Sequence, residues 1–172
     1  MIEALSLAEV NAFTRDEFIA HFGDIAEHSS WVADSAEQAR PFLTHAALVD
    51  AFQKSVLSAA QARQDDLIFA HPDLAGRAAK AGDLAEESRR EQKSAGLDRL
   101  TADEFTRFHD LNDRYRARFG FPFIFAVSGA SKYQILDAFE NRVDGTKAEE
   151  RLTALAQVLR IIRFRLEMRV KA

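Results

Sequence analysis

The chain has 172 residues, a formal net charge of −4, 47% apolar and 29% charged residues, and no cysteine. That length and balance suit one soluble domain with a sizeable core, expected to span residues 1–172. The acidic balance argues against nucleic acid as main partner, and the lack of cysteine removes disulfides, thiolate nucleophiles and thiolate metal sites. No apolar run approaches the roughly 18 residues of a membrane span. The first ten residues, MIEALSLAEV, are acidic and amphipathic, unlike a signal peptide, and the closing RVKA carries no peroxisomal signal. A cytoplasmic location is expected.

In chain order, Thr14 with Glu17 fits a capping box, and Gly23 fits the following stop. Trp31 to Ala39 reads as a helix that ends before Pro41. Thr44 or His45 to about Arg63 reads as one longer helix with Leu48, Phe52, Val56 and Ala59 on one face. A break falls at His71-Pro72. Leu84 to Ala95 reads as a helix stopped by Gly96. Thr101 with Glu104 opens a helix carrying Phe105, Phe108, Leu111, Asn112 and Tyr115, which ends at Gly120. Phe121 to Val127 is the one apolar run with extended character, and Pro122 argues against a regular strand there. Ala130 to Phe139 is a short helix, and Thr146 with Glu149 caps a last helix from Lys147 to Arg169. The expected fold is an all-α, single-domain bundle of roughly eight helices.

Four segments carry candidate chemistry. His71 stands in LIFAHPDLAG, where Pro72 stiffens the break that presents it, and an imidazole suits proton transfer near neutral pH. The plain alternative is a structural histidine at a helix end. Ser88, Glu91 and Gln92 share one helical face and offer a hydroxyl, a carboxylate and an amide to a small polar ligand. On spacing alone a solvated charged face is the better explanation of them. Arg165 lies beside the apolar stripe Leu152, Leu155, Leu159, Ile162 and Leu166 of the last helix, and Arg163 lies on the other shoulder. An inward guanidinium holds carboxylates or carbonyls, whereas a snorkelling one covers apolar surface. FGFPFI, Phe119 to Ile124, is a helix break whose backbone polar groups are open to a ligand or to packing.

The five histidines are scattered, with no HExxH, so no metal site is expected. No GxGxxG or P-loop is present.

Read in order, FGDIAEHSSWVADSA, RPF, AHPDLAG, ESRREQKSAGLD, LNDRYRARFGFPFIFAVSG and the pair Arg165-Leu166 resemble the 2-oxo-4-hydroxy-4-carboxy-5-ureidoimidazoline (OHCU) decarboxylases. The resemblance runs from about Phe13 to Leu166, and the order and spacing of HPDLAG, SxxEQ and FGFPFI make it specific. It implies an all-helical, cofactor-free decarboxylase acting on a small ureide in urate breakdown and giving (S)-allantoin, commonly as a homodimer. It makes His71 and Glu91 catalytic. It makes Pro72, Ser88, Gln92, Phe121, Pro122, Phe123, Ile124, Arg165 and, less directly, Glu27 substrate contacts. Two departures stand out. Ser30 replaces the family's proline in EHSPWV, and Arg163 stands two residues before Arg165, leaving a choice of arginine. Two rival readings keep a different function: a lyase acting on another ureide, or a helical binding module without activity.

Overall fold

Hydroxyl side chains set most helix starts in this protein. The Thr14 hydroxyl accepts from the Glu17 N–H at 3.3 Å, while Glu17 takes the Thr14 N–H at 2.8 Å. Ser6 with Glu9, Thr101 with Glu104 and Ser131 with Gln134 repeat the reciprocal pattern, and Thr146 with Glu149 does the same ahead of the last helix. Each box satisfies N–H groups that a helix start leaves without internal partners.

The computed structural model describes residues 4–76 and 84–171, so the first three residues of MIEALSLAEV lie outside it. Among the described residues there are nine α-helices. They are α1 (Leu7–Ala12), α2 (Arg15–Phe22), α3 (Trp31–Glu37), α4 (His45–Leu57), α5 (Gln61–Ala70), α6 (Glu86–Ser94), α7 (Ala102–Phe119), α8 (Lys132–Arg142) and α9 (Lys147–Arg169). No strand occurs among these residues, and one isolated parallel bridge joins Leu5 to Val170. The fold is all-α, with a helix count close to the expected eight.

Three expectations need correction. The helix α1 was not anticipated, because six residues are too few to show a period. The long helix from Thr44 to Arg63 is two helices. Gln64 explains the break: its side-chain amide donates to the carbonyls of Val56 at 3.0 Å and Leu57 at 3.3 Å. Those carbonyls lie at the end of α4, where the next helical turn is missing, and Gln64 adds a side-chain donor to the Ala59 N–H that Val56 also accepts at 3.3 Å. Leu152, assigned to the apolar stripe of α9, is 64% exposed. The buried stripe runs instead through Ala154, Leu155, Val158, Ile161, Ile162, Arg165 and Leu166.

The chain packs as two compact units, residues 1–70 with 159–172, and residues 71–158. In the first, Phe18, Phe22, Phe42 and Phe52 form a ring cluster with centroids 4.8 to 6.2 Å apart, joined in the core by Ile25, Val32, Leu48 and Leu67. In the second, Tyr115 is surrounded by Phe119, Phe121, Phe123 and Phe139 at 4.5 to 5.9 Å. Gly120 ends α7 in the left-handed region at φ 82°, which a side chain would strain. That turn takes the chain out of the helix into Phe121–Ile124, which form no helix or strand.

Replacing Gln64 by Leu removes the side-chain donor from both carbonyls at a buried junction, leaving Val56 with the Ala59 N–H at 3.3 Å. The Gln64→Leu protein should lose about 1–3 kcal/mol of stability, read from the urea midpoint at an unchanged m-value.

Candidate active site

His71 follows directly on the last residue of α5 and is 6% exposed. The loop it opens, residues 71–76, is held by side chains from two helices. Arg116 on α7 donates Nε to the Asp73 carboxylate at 2.8 and 3.2 Å. Asn112, one turn earlier on α7, donates Nδ2 to the Leu74 carbonyl at 2.9 Å. Gln92 on α6 accepts the Ala75 N–H on Oε1 at 2.9 Å. Ala75 sits at φ 51°, a region disfavoured for alanine. A Cβ on Gly76 would lie 2.7 Å from the Asp73 Cβ, so the glycine lets the loop close on itself.

Helix α6 has a buried and an exposed side. Ser88 and Gln92 are buried at 4% and 5% exposure and Glu91 is half-buried, whereas Arg89, Arg90 and Lys93 are exposed. Since Oε1 of Gln92 faces Ala75, its Nε2 is a donor by elimination. That nitrogen is buried without a hydrogen-bond partner. A buried amide donor left unmade is costly unless a ligand takes it up.

The FGFPFI segment rests on a part-buried polar group. Arg142 of α8 donates Nη1 to the Ile124 carbonyl at 2.7 Å and stacks over the Phe123 ring at 4.3 Å. Its Nε and Nη2 reach Glu150 at 3.0 and 2.9 Å, and Glu150 accepts the Tyr115 hydroxyl at 2.5 Å. Phe121, Pro122, Phe123 and Ile124 are all buried. Burial, and then the hydrogen bond to Glu150, push the Tyr115 phenol well above its ordinary value of 10.0.

In the first unit, Arg165 and Glu27 meet each other. Both are 2% exposed, and Nη1 of Arg165 lies 3.1 Å from Glu27 Oε2 and 3.1 Å from the Ile25 carbonyl. Arg163 is exposed and paired with Glu167 at 2.7 Å along the helix surface. The two neighbouring arginines are therefore separated: one is inward and one is a surface residue.

The structure thus joins HPDLAG to SxxEQ through the Gln92–Ala75 bond, joins Arg165 to Glu27, and anchors FGFPFI on Arg142. The family model for OHCU decarboxylase matches residues 11–167. The chain belongs to the OHCU decarboxylase family. A 2-oxo-4-hydroxy-4-carboxy-5-ureidoimidazoline decarboxylase of Haloferax volcanii is 41% identical over 165 residues, covering 96% of each chain. One from Halalkalicoccus jeotgali is 40% identical over 163 residues, covering 95% of this chain and 90% of that one. The crystal structure of an (S)-allantoin synthase superposes with a TM-score of 0.78 at 29% identity over 96% of this chain. It is a longer protein, of which this chain spans 54%.

Within this OHCU decarboxylase family fold, several supporting residues escaped the sequence reading. Asp73, Arg116, Arg142 and Glu150 are not among the site residues expected from sequence, and Asn112 and Tyr115 are expected only as residues that the Thr101-capped helix carries. One signal was available: Asn112, Tyr115 and Arg116 are spaced by three and four on that helix, and a polar amide among Phe108, Leu111 and Phe119 needs a partner.

The Tyr115–Glu150 contact carries a pH signature. The folded phenol titrates above the unfolded one, so its contribution to stability is complete below about pH 10 and is lost as pH rises beyond that value. The urea midpoint of the native protein should fall between pH 9.5 and 11 more steeply than that of Tyr115→Phe, at about equal ionic strength. Parallel curves for the two proteins would remove Tyr115 from that role.

Proposed function

We propose that this chain decarboxylates 2-oxo-4-hydroxy-4-carboxy-5-ureidoimidazoline to (S)-allantoin, the step that closes urate breakdown, without a cofactor. The carrying observation is the meeting of HPDLAG and SxxEQ at one buried hydrogen bond, Ala75 N–H to Gln92 Oε1 at 2.9 Å, beside a buried Gln92 Nε2 with no partner. The match to the decarboxylase family over residues 11–167 supports reading the chain as a single decarboxylase-like domain. The same resemblance supports a homodimer, the proposed location is the cytoplasm, and among the described residues no helix is long and apolar enough to cross a membrane.

Decarboxylation leaves an electron pair that needs a sink, which cofactors often supply. In this substrate the carbon losing CO2 adjoins a ring C=N bond. The C–CO2 bond breaks, its electrons form C4=C5, and the former imine pair moves to nitrogen and takes a proton. The enol then becomes a carbonyl at C4 while C5 accepts a proton on one face, giving a single enantiomer. The protein need supply only placement, electrostatics and directed proton transfer. In this proposal His71 and Glu91 engage the C4 hydroxyl and the carboxylate. Ser88 and the Gln92 Nε2 donor hold substrate oxygens, and Pro72 with Phe121, Pro122, Phe123 and Ile124 provide rigid walls and backbone groups. Arg165, supported by Glu27, is assigned to substrate binding on the family resemblance, and the surface position of Arg163 supports that choice over its neighbour.

The test is a coupled assay in which urate is oxidised and hydrolysed in place by the two preceding enzymes. Decay of the intermediate is followed by ultraviolet absorbance and the handedness of allantoin by circular dichroism. Accelerated decay with a one-handed product is expected. Decay at the spontaneous rate with racemic product would point instead to another ureide or to a non-catalytic module. His71→Asn should lower kcat about 10²-fold or more, and a His71→Asn enzyme within about threefold of the native rate would remove the acid–base role. Gln92→Glu keeps an acceptor for Ala75 and deletes the donor. It should reduce kcat/KM by about tenfold or more, while a rate equal to native would deny that Nε2 meets the substrate.

A further inference from the structure

We propose that Asn112 and Arg116 are positioning residues for His71, acting on catalysis by holding the loop that carries it and touching no substrate. This rests on the reading of His71 as catalytic. The Leu74 carbonyl and the Ala75 N–H belong to one peptide group. Asn112 holds the carbonyl from α7 at 2.9 Å, and Gln92 holds the N–H from α6 at 2.9 Å. One peptide plane is thus fixed between two buried side-chain amides. Turning the Asn112 amide over would set its oxygen against the Leu74 oxygen, so its orientation is determined by the loop.

Two further observations bear on how residues 72–76 are held. Among the described residues, the backbone hydrogen bond within 71–76 is Gly76 N–H to Asp73 O, long at 3.4 Å. Ala75 at φ 51° is a strained residue that persists only where its surroundings over-determine it. Pro72, Asp73 and Gly76 also border a pocket of about 350 Å³ shared with His109, Asn112 and Arg116. On that side close packing does not fix the loop, and directional bonds must. Arg116 supplies the second of them, an Nε contact to both oxygens of Asp73, one turn along α7 from Asn112. These two α7 side chains hold residues 73 and 74, two and three positions after His71, across a stiff proline. Loss of either bond moves the imidazole before it disturbs the helices, and a misplacement of about 1 Å can lower a rate about 10²-fold.

The experiment is a double-mutant cycle on the full chain in the coupled assay. Asn112→Ala and Arg116→Met are each made with His71 present and with His71→Asn. With His71 present, Asn112→Ala should lower kcat about ten- to a hundredfold and Arg116→Met about three- to tenfold, with KM within about threefold of native. In the His71→Asn background each should lower kcat less than about twofold, because the group they position is gone. Arg116→Lys should recover part of the loss. An unchanged kcat, a loss confined to KM, or an equal fold-loss in both backgrounds would overturn the proposal. If Asn112→Ala does not fold, the half-exposed Arg116 carries the same cycle. His71→Asn near the native rate would defeat the catalytic reading itself, whereas an additive cycle on a slow His71→Asn enzyme would defeat only the positioning roles.

Discussion

Every backbone polar group that leaves a helix here needs a new partner, and the side chains supplying those partners set where the candidate catalytic groups sit. In an all-helical protein no ladder is available to a non-helical segment. The 71–76 loop meets this demand through Asn112 and Gln92, FGFPFI meets it through Arg142 on the Ile124 carbonyl, and the α4–α5 junction through Gln64. Each is a long polar side chain sent from a helix to a segment distant in sequence. Pro72 and Pro122 contribute by lacking an N–H that would need satisfying. The breaks in the helical pattern are therefore fixed points of the fold, which is why a reactive side chain is usefully placed on one.

Buried charge follows the same logic. Arg165 with Glu27, and Arg142 with Glu150 and Tyr115, remove ionisable groups from water. Such pairs seldom add net stability over well-packed apolar residues, although breaking one is strongly destabilising. Their value here is directional. Arg165 ties α9 to the Ile25 carbonyl at 3.1 Å, a bond that an apolar residue cannot make. Arg142 simultaneously faces a carboxylate, a carbonyl and the Phe123 ring, so three distances specify where the Phe121–Ile124 segment lies.

Much of this was legible in the sequence, for reasons that are local. A capping box needs only two residues three apart, and Thr14–Glu17, Thr101–Glu104 and Thr146–Glu149 all form where the sequence places them. The span of α9 and the left-handed stop at Gly120 are equally local. The HPDLAG, SxxEQ and FGFPFI segments named the family because their order along the chain is itself information. What stayed hidden depends on partners far away. Gln64 looks like any helix-surface glutamine until its amide is seen to reach back to the Val56 and Leu57 carbonyls. Arg163 and Arg165 differ by 200° around α9, yet the sequence does not say which direction is inward. The drift of the buried stripe away from Leu152 shows the same limit.

The proposed chemistry explains why so much polar structure is spent on immobility. A substrate that carries its own electron sink asks the protein for little reactivity and for exact relative placement of donors, acceptors and one proton source. Preorganised dipoles lower such a barrier only if they need not reorient as charge moves from the carboxylate into the ring. A loop fixed at a single peptide plane, with Ala75 kept in a conformation it would not choose, is a rigid solution to that requirement. It also accounts for a residual feature that stability alone leaves unexplained: Gln92 spends its oxygen on the loop and keeps a buried Nε2 donor unpartnered. A donor maintained at that expense is oriented before any ligand arrives, so binding an oxygen there recovers a hydrogen bond that the folded protein already lacks.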